Sequence, residues 1–218
     1  MLSRIASALV PALGRLSVTT ETPGPVAPGS IVLANHSSLA DPGVVLAALR
    51  RLGTEPVVLA TAGLWRIPVL GAALRRGGHI PVHRGTARAA EALDLAAAAL
   101  ADGRVVLIYG EGRLPRRRDS GDTAPTPFRT GPARLAAAAG APVVPLGQCG
   151  ARRLSSGSTT KQLAGLATAP LRRPTLHVHL GTPLHLPPDI AEATAAAHRA
   201  VTTAWHEAEV RAGRPASV

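Results

Sequence analysis

The stretch IVLANHSSLADPGVVLAALRRL at residues 31–52 holds three local structures in one run. Ile31–Ala34 is a short apolar segment of strand length that ends abruptly at polar residues. DPGVVLAALRRL, from residue 41, has helix-compatible composition, with Pro42 tolerated in the first turn. NHSSLAD, at 35–41, has to turn the chain between them. On a continuous helix His36 and Asp41 would stand about 140° apart around the axis and could not touch. A residue before proline is steered out of the α region, so Asp41 is expected as the N-cap and Pro42 at the first helical position. SSLA is then free to fold the carboxylate back beneath the imidazole.

The same alternation continues outward. Short β-branched runs follow at PVVLAT (56–61), IPVH (80–83), RVVLIY (104–109), PVVPLG (142–147) and TLHVHLG (175–181). Helical patterns separate them: LWRIPVLGAALRR, TARAAEALDLAAAALADG and GPARLAAAAG, with Gly103 and Gly140 as stop signals. Strand and helix in alternation predict a single α/β domain with a mostly parallel central sheet flanked by helices. Two segments depart from the pattern. Residues 114–130 are polar and proline-rich and are expected as a mobile surface loop, and 151–174 as a basic excursion with one short helix. The chain should close with a helix capped by Asp189, with Glu192 three residues on, running to about residue 212.

At 218 residues the chain suits one well-buried core. Hydrophobic residues make up 46% and aromatics 2%, so that core must be built mostly from Ala, Val, Leu and Ile. Lys+Arg number 24 against 13 Asp+Glu, a net +11, and Lys161 is the single lysine. Such an excess attracts nucleic acid, anionic membrane or phosphorylated substrates. Nucleic acid is the poorest of these, because Trp65, Tyr109, Phe128 and Trp205 are scattered and form no stacking platform beside the arginines. The lone Cys149 excludes an intrachain disulfide and suits a reducing compartment.

Leu2, Ile5, Leu9, Leu13 and Leu16 form an apolar stripe at helical spacing, flanked by Arg4 and Arg15. Residues 1–24 are therefore expected to be an amphipathic helix and linker, lying on a bilayer or packing on the domain of residues 25–218. IASALVPALG is too short to span a membrane, and Pro11 and Arg15 argue against a signal peptide.

A carboxylate bonded to one ring nitrogen of a histidine leaves the other free to take a proton from a hydroxyl, chemistry suited to neutral pH. No G-x-S-x-G elbow is present, and Cys149 follows a different strand, so no protein nucleophile accompanies the pair. A base without its own nucleophile points to direct attack by a substrate hydroxyl. The plainer alternative is that Asp41 only caps a helix and His36 is incidental. His79 and His83 lie roughly 13 Å apart along their strand, and His177 and His179 lack a third ligand, so no metal is expected.

NHSSLAD resembles the NHx4D block of the glycerolipid acyltransferases, the 1-acylglycerol-3-phosphate acyltransferases and their relatives. GHIPVHRG (78–85) is similar to that family's second block, IYGEGR (108–113) to its Phe/Tyr-Pro-Glu-Gly block, and PVVPLG to its proline-flanked fourth strand, in the same order. The resemblance implies a glycerol-3-phosphate acyltransferase-like fold, with His36 as general base, Asp41 orienting it, and Arg84, Glu111 and Gly112 binding the phosphorylated acceptor. Arg113 would add a second phosphate contact. It also implies acyl transfer to lysophosphatidic acid, giving phosphatidic acid. The donor would be acyl-CoA or acyl carrier protein, with no cofactor. The protein would sit peripherally at the cytoplasmic face of a membrane. Alternative acceptors are glycerol-3-phosphate, another lysolipid or a glycolipid; an alternative of another class is a non-catalytic basic membrane-lipid-binding protein. Three positions depart from the family pattern: Gly110 where proline is usual, Arg113 where threonine is frequent, and ATAG (60–63) where many relatives carry lysine and glutamate. They suggest a looser third block and put the acceptor in doubt.

Overall fold

The computed structural model describes residues 2–85, 89–114 and 119–213. Helix α1 (Leu2–Leu13) leads into strand β1 (Arg15–Thr20). There follow β2 (Ile31–Ala34), α2 (Asp41–Arg51), β3 (Val57–Thr61), α3 (Pro68–Arg76), β4 (Ile80–Val82), α4 (Glu91–Ala101) and β5 (Val106–Tyr109). The chain closes with α5 (Gly131–Ala139), β6 (Val143–Cys149), α6 (Thr159–Arg172), β7 (Thr175–Leu180) and α7 (Ile190–Arg211).

The seven strands form one sheet in the order β1-β7-β6-β2-β5-β3-β4. The five from β6 to β4 run parallel, β7 pairs antiparallel with β6, and β1 pairs parallel with β7. This is the single α/β domain expected. IVLA of β2 is buried at every residue, as a central parallel strand covered on both faces requires. One face packs Val32, Ala34 and Leu107 against α2 and α1, and the other packs Ile31, Leu33 and Val106 against α4, α5 and α7. Both layers are built almost entirely from aliphatic side chains.

Helix α7 crosses β6 at very close range. A Cβ placed on Gly147 would lie 2.0 Å from the Trp205 nitrogen, so only glycine admits the helix there. Asp189 caps α7 as expected, its Oδ1 accepting from the Glu192 N–H at 2.8 Å.

Four expectations need correction. The linker expected after α1 contains an edge strand: β1 pairs Arg15 through Thr20 with Thr175 through Leu180. RLSVTT lacks a long apolar run because one of its sides faces solvent, which hid it. The stripe on α1 is divided accordingly. Leu2 and Leu13 touch the core, Ile5 and Leu9 face outward, and Leu16 belongs to β1. Asp41 is the first residue of α2 rather than its N-cap, which is Ala40, because the aspartate side chain is directed back into the preceding turn. The segment 151–174 is a 3₁₀ turn (Ala151–Arg153) followed by α6, a helix of 14 residues. Part of the loop expected at 114–130 lies outside the described residues.

Among the described residues, no helix is long and apolar enough to cross a membrane, and no group of three or more His, Cys, Asp or Glu is placed to hold a metal ion.

Candidate active site

The turn after β2 is built by hydrogen bonds that the chain's own side chains supply. Asn35, buried at the strand end, accepts from the Gln148 N–H (2.8 Å) and donates to the Gln148 carbonyl (3.1 Å). Its amide thus continues the ladder to β6 while the β2 backbone leaves the sheet. Freed from β6, the chain bends tightly, and Asp41 becomes its centre. Asp41 Oδ2 accepts from the Ser37 N–H (2.5 Å) and the Ser38 N–H (2.8 Å), and His36 Nδ1 lies 2.9 Å from the same oxygen. Ser37 Oγ donates to Oδ1 at 3.2 Å. A carboxylate oxygen only accepts, so Nδ1 carries the hydrogen and Nε2 keeps its lone pair. The five-residue separation thus closes into a direct contact.

Beneath the ring lie residues of β5 and the turn after it. Tyr109 stacks on His36 with ring centroids 4.3 Å apart. Its phenolic oxygen is buried without a hydrogen-bond partner among the described residues, and burial beside Asp41 and Glu111 pushes its pKa well above the usual value. Glu111, only 4% exposed, accepts from the His36 N–H through Oε2 at 3.0 Å. Burial raises its pKa to about 8, against the lowering effect of its backbone hydrogen bonds and with a further rise from Asp41. At neutral pH the Glu111 carboxyl is therefore mostly protonated, and it acts on the main chain of the histidine.

Gly112 sits in the left-handed region at φ +66°, its N–H bonded to the Tyr109 carbonyl at 3.2 Å. Gly110 proves tightly packed rather than loose. A Cβ there would lie 2.4 Å from Phe128 ring atoms, so Phe128 fills the space that a proline would take. Phe128 in turn meets His198 edge-on at 5.0 Å. At Gly63 nothing lies within 4 Å of a Cβ position, leaving open space in the 3₁₀ turn Ala62–Arg66.

Arg84 and Arg113 are not brought into contact with the pair. Arg84 is exposed two residues beyond β4. With β5 and β3 between them, β4 stands three strand spacings, about 14 Å, from β2. Arg113 is exposed two residues beyond Glu111. Among the described residues, no hydrogen bond or ion pair links either guanidinium to His36, Asp41 or Glu111. All the same, His36, Arg84, Glu111 and Arg113 follow the carboxyl ends of parallel strands and so share the edge where open α/β sheets place ligands.

Several supporting residues carried no signal in the sequence. Arg152, in the segment read as a surface excursion, is buried; it donates to the Ser37 carbonyl (2.8 Å) and the Asp119 carbonyl (2.5 Å). Ser38 Oγ donates to the Ser155 carbonyl at 2.5 Å and accepts from the Ala40 N–H at 3.1 Å. Gln148 Nε2 donates to Ser37 Oγ at 3.1 Å. Tyr109 and Gln148 lie at carboxyl ends of central strands, which is the one signal that pointed to them. His79 binds the sheet rather than a ligand, its Nδ1 accepting from the Val58 N–H at 3.0 Å.

Residues 15–148, more than half of the chain, match the model of the acyltransferase family. No curated protein matches the chain. Among solved structures, the crystal structure of the 1-acyl-sn-glycerophosphate (LPA) acyltransferase PlsC from Thermotoga maritima is similar over 99% of this chain and 81% of that one, with a TM-score of 0.71 and 17% sequence identity. At that identity the likeness carries the fold.

Proposed function

The chain belongs to the acyltransferase family, and from that premise we propose that it transfers a fatty acyl group from a thioester to the free hydroxyl of a lysophospholipid, with lysophosphatidic acid as the leading acceptor and phosphatidic acid as product. The donor is acyl-CoA or acyl carrier protein, a substrate rather than a cofactor. The observation that carries the reading is the His36 Nδ1–Asp41 Oδ2 contact at the end of a central parallel strand, which leaves Nε2 as a proton acceptor.

In this reading the acceptor oxygen attacks the thioester carbonyl carbon as its proton passes to His36 Nε2. Asp41 holds the ring in one tautomer and balances the imidazolium that forms. As the tetrahedral intermediate collapses, the C–S bond breaks and the departing sulfur takes the proton from Nε2. Tyr109 and Glu111 fix the plane and height of the ring through its face and its backbone. The Glu111–Gly112 turn forms the floor under the acceptor headgroup, and Arg84 and Arg113 at the same edge bind its phosphate, a task suited to guanidinium. The open space at Gly63 and the Gly110–Phe128 packing favour, as a second reading, the same chemistry on a differently shaped acceptor such as glycerol-3-phosphate, another lysolipid or a glycolipid. A product with two acyl chains has to leave into a bilayer, so attachment is peripheral, at the cytoplasmic face.

The test is purified protein supplied with radiolabelled acyl-CoA or acyl carrier protein and a panel of acceptors. His36→Ala should lower turnover by ~10²–10⁴, the usual worth of a general base, with the melting temperature preserved. An unchanged rate ends the mechanism. Vesicle binding without any acylated product would favour the non-catalytic lipid binder.

A further inference from the structure

Arg152 is a buried cation to which the acyl-transfer mechanism gives no task. It stands in the 3₁₀ turn Ala151–Arg153, just past the carboxyl end of β6, and is only 3% exposed. Gly150 turns the chain there at φ +91°, its N–H donating to Asp122 Oδ2 at 3.0 Å. β6 pairs with β2 as far as Leu146 opposite Ala34, so the turn after β6 lies beside the turn after β2. Burying a guanidinium is costly unless its charge and its donors are answered. Here Nη1 donates to the Ser37 carbonyl at 2.8 Å and Nη2 to the Asp119 carbonyl at 2.5 Å, while Nε has no hydrogen-bond partner among the described residues. The Asp119 carboxylate, 3.9 Å away, is half exposed. A tie between two loops needs only a neutral donor, so a buried positive charge at this place calls for a further reason.

The reason lies in the peptide unit between Ser37 and Ser38. A trans peptide is planar, so its C=O and N–H point in opposite directions and neither turns without the other. Arg152 holds the carbonyl end, and at the other end the Ser38 N–H donates to Asp41 Oδ2 at 2.8 Å. That is the same oxygen that faces His36 Nδ1 at 2.9 Å. Guanidinium, peptide, carboxylate and imidazole therefore form one chain of hydrogen bonds. A charged donor on the carbonyl polarises the peptide and strengthens its N–H as a donor to Asp41. The same positive charge offsets the negative charge that Asp41, 0% exposed, carries into the interior.

We propose that Arg152 is a positioning residue for acyl transfer, acting through the 37–38 peptide to hold Asp41 in the direction that keeps the His36 proton on Nδ1 and the lone pair on Nε2. Its effect on rate rests on the acyl-transfer reading, whereas its effect on the imidazole does not. A purely structural tie between the catalytic turn and residue 119 has a different consequence: stability falls when it is cut, and the turnover of the protein that remains folded is intact.

The test compares Arg152→Met, Arg152→Gln and Arg152→Lys in the full chain. Melting temperature, kcat, and KM for donor and acceptor are measured, together with the nitrogen NMR shifts of the His36 ring at neutral pH, which report where its proton sits. Arg152→Met should lower kcat about tenfold to a hundredfold, the worth of one charge-assisted hydrogen bond, with each KM changed less than about threefold. Lysine keeps the charge and can serve one carbonyl, so Arg152→Lys should recover most of the loss and the uncharged Arg152→Gln less of it. In an Asp41→Asn background Arg152→Met should lower kcat less than about threefold, because the group it acts through is gone. The nitrogen shifts should show Nδ1 protonated in the wild type and in Arg152→Lys, and a mixture of tautomers in Arg152→Met. Wild-type kcat in folded Arg152→Met, a loss confined to KM, no recovery with lysine, or an undiminished loss in the Asp41→Asn background would overturn the proposal. Should the methionine variant not fold, glutamine against lysine decides, and equal kcat and equal shifts in those two overturn it. If the wild type forms no acylated product, the acyl-transfer reading fails instead. The His36 shifts then still decide the role of Arg152, and shifts unchanged by its replacement overturn it.

Discussion

Asp41 Oδ2 receives three hydrogen bonds at once, two from backbone N–H groups and one from the imidazole. An amide oxygen in the Oδ2 place is uncharged, so it accepts these bonds more weakly and cannot balance an imidazolium, and its NH₂ would take the place of the Oδ1 that accepts from the Ser37 hydroxyl. Asp41→Asn should therefore lose turnover with His36 still present and cost about 1–3 kcal/mol of stability, read from rates and denaturant unfolding together. Glu111 poses a different problem, because burial holds its pKa near 8, against 4.5 for the ordinary carboxyl. A raised folded-state value means that stability is present while the group is protonated and is lost as pH climbs from about 4.5 through 8. A shift of this size corresponds to about 5 kcal/mol when fully expressed above pH 8. Glutamine keeps an oxygen for the His36 N–H and carries no charge. Glu111→Gln should then match the wild type in stability near pH 4.5, exceed it increasingly as pH rises to 8, and match it in turnover near pH 6.5. Glu111→Ala should lose turnover at pH 6.5 and at pH 8. A pH series of melting temperatures and rates checks this, and identical alkaline behaviour of Glu111→Gln and the wild type would exclude the buried-acid account.

Among elements, the decisive contacts are those between strand ends and the segments that cross them. The loop after β5 is held at Gly110, where Phe128 occupies the space above the glycine and the Arg129 N–H donates to the Gly110 carbonyl at 2.9 Å. Gly110→Ala should destabilise by about 1–3 kcal/mol through overpacking. In the Phe128→Ala background the same substitution should cost less, giving a coupling energy of at least about 0.5 kcal/mol in a double-mutant cycle. Additive effects would mean that the two residues do not share the space. The amphipathic helices show the limit of periodicity as a guide. Spacing marked α1 correctly as a helix, yet it could not say which side would find the core, and half of the apolar stripe faces outward. β1 escaped notice because an edge strand with one solvated side has no strong apolar run.

For the molecule as a whole, three imidazoles are tied to the sheet. His79 accepts from the Val58 N–H, and His177 Nε2 and His179 Nδ1 flank the Thr19 hydroxyl at 3.0 and 2.9 Å, pinning β1 to β7. Glu21 from the chain after β1 lies 3.3 Å from His179 Nε2, and Glu207 and Arg211 approach from α7. Burial lowers all three pKa values from 6.5, with Arg104 adding to the effect at His79 and Arg211 at the other two. Depressed values mean that stability is full above 6.5 and is lost as pH falls through the folded-state pKa. Glu111 opposes this in the same range, so the trend is clearest in Glu111→Gln. There the melting temperature should fall between pH 7.5 and 5, and a flat profile would contradict it. The sequence by itself determined the α/β class, the parallel strands, the closing helix and the need for a bend between His36 and Asp41. Each follows from local chemistry: side-chain period, caps, and the restriction proline places on its neighbour. Only the tertiary structure decided that Glu111 serves the His36 backbone, that Tyr109 lies beneath the ring, that Arg152 is buried under the turn, and that α1 and α6 turn apolar faces outward. Those outcomes rest on contacts between residues far apart in the chain, and no local pattern records which strand ends the sheet will bring side by side.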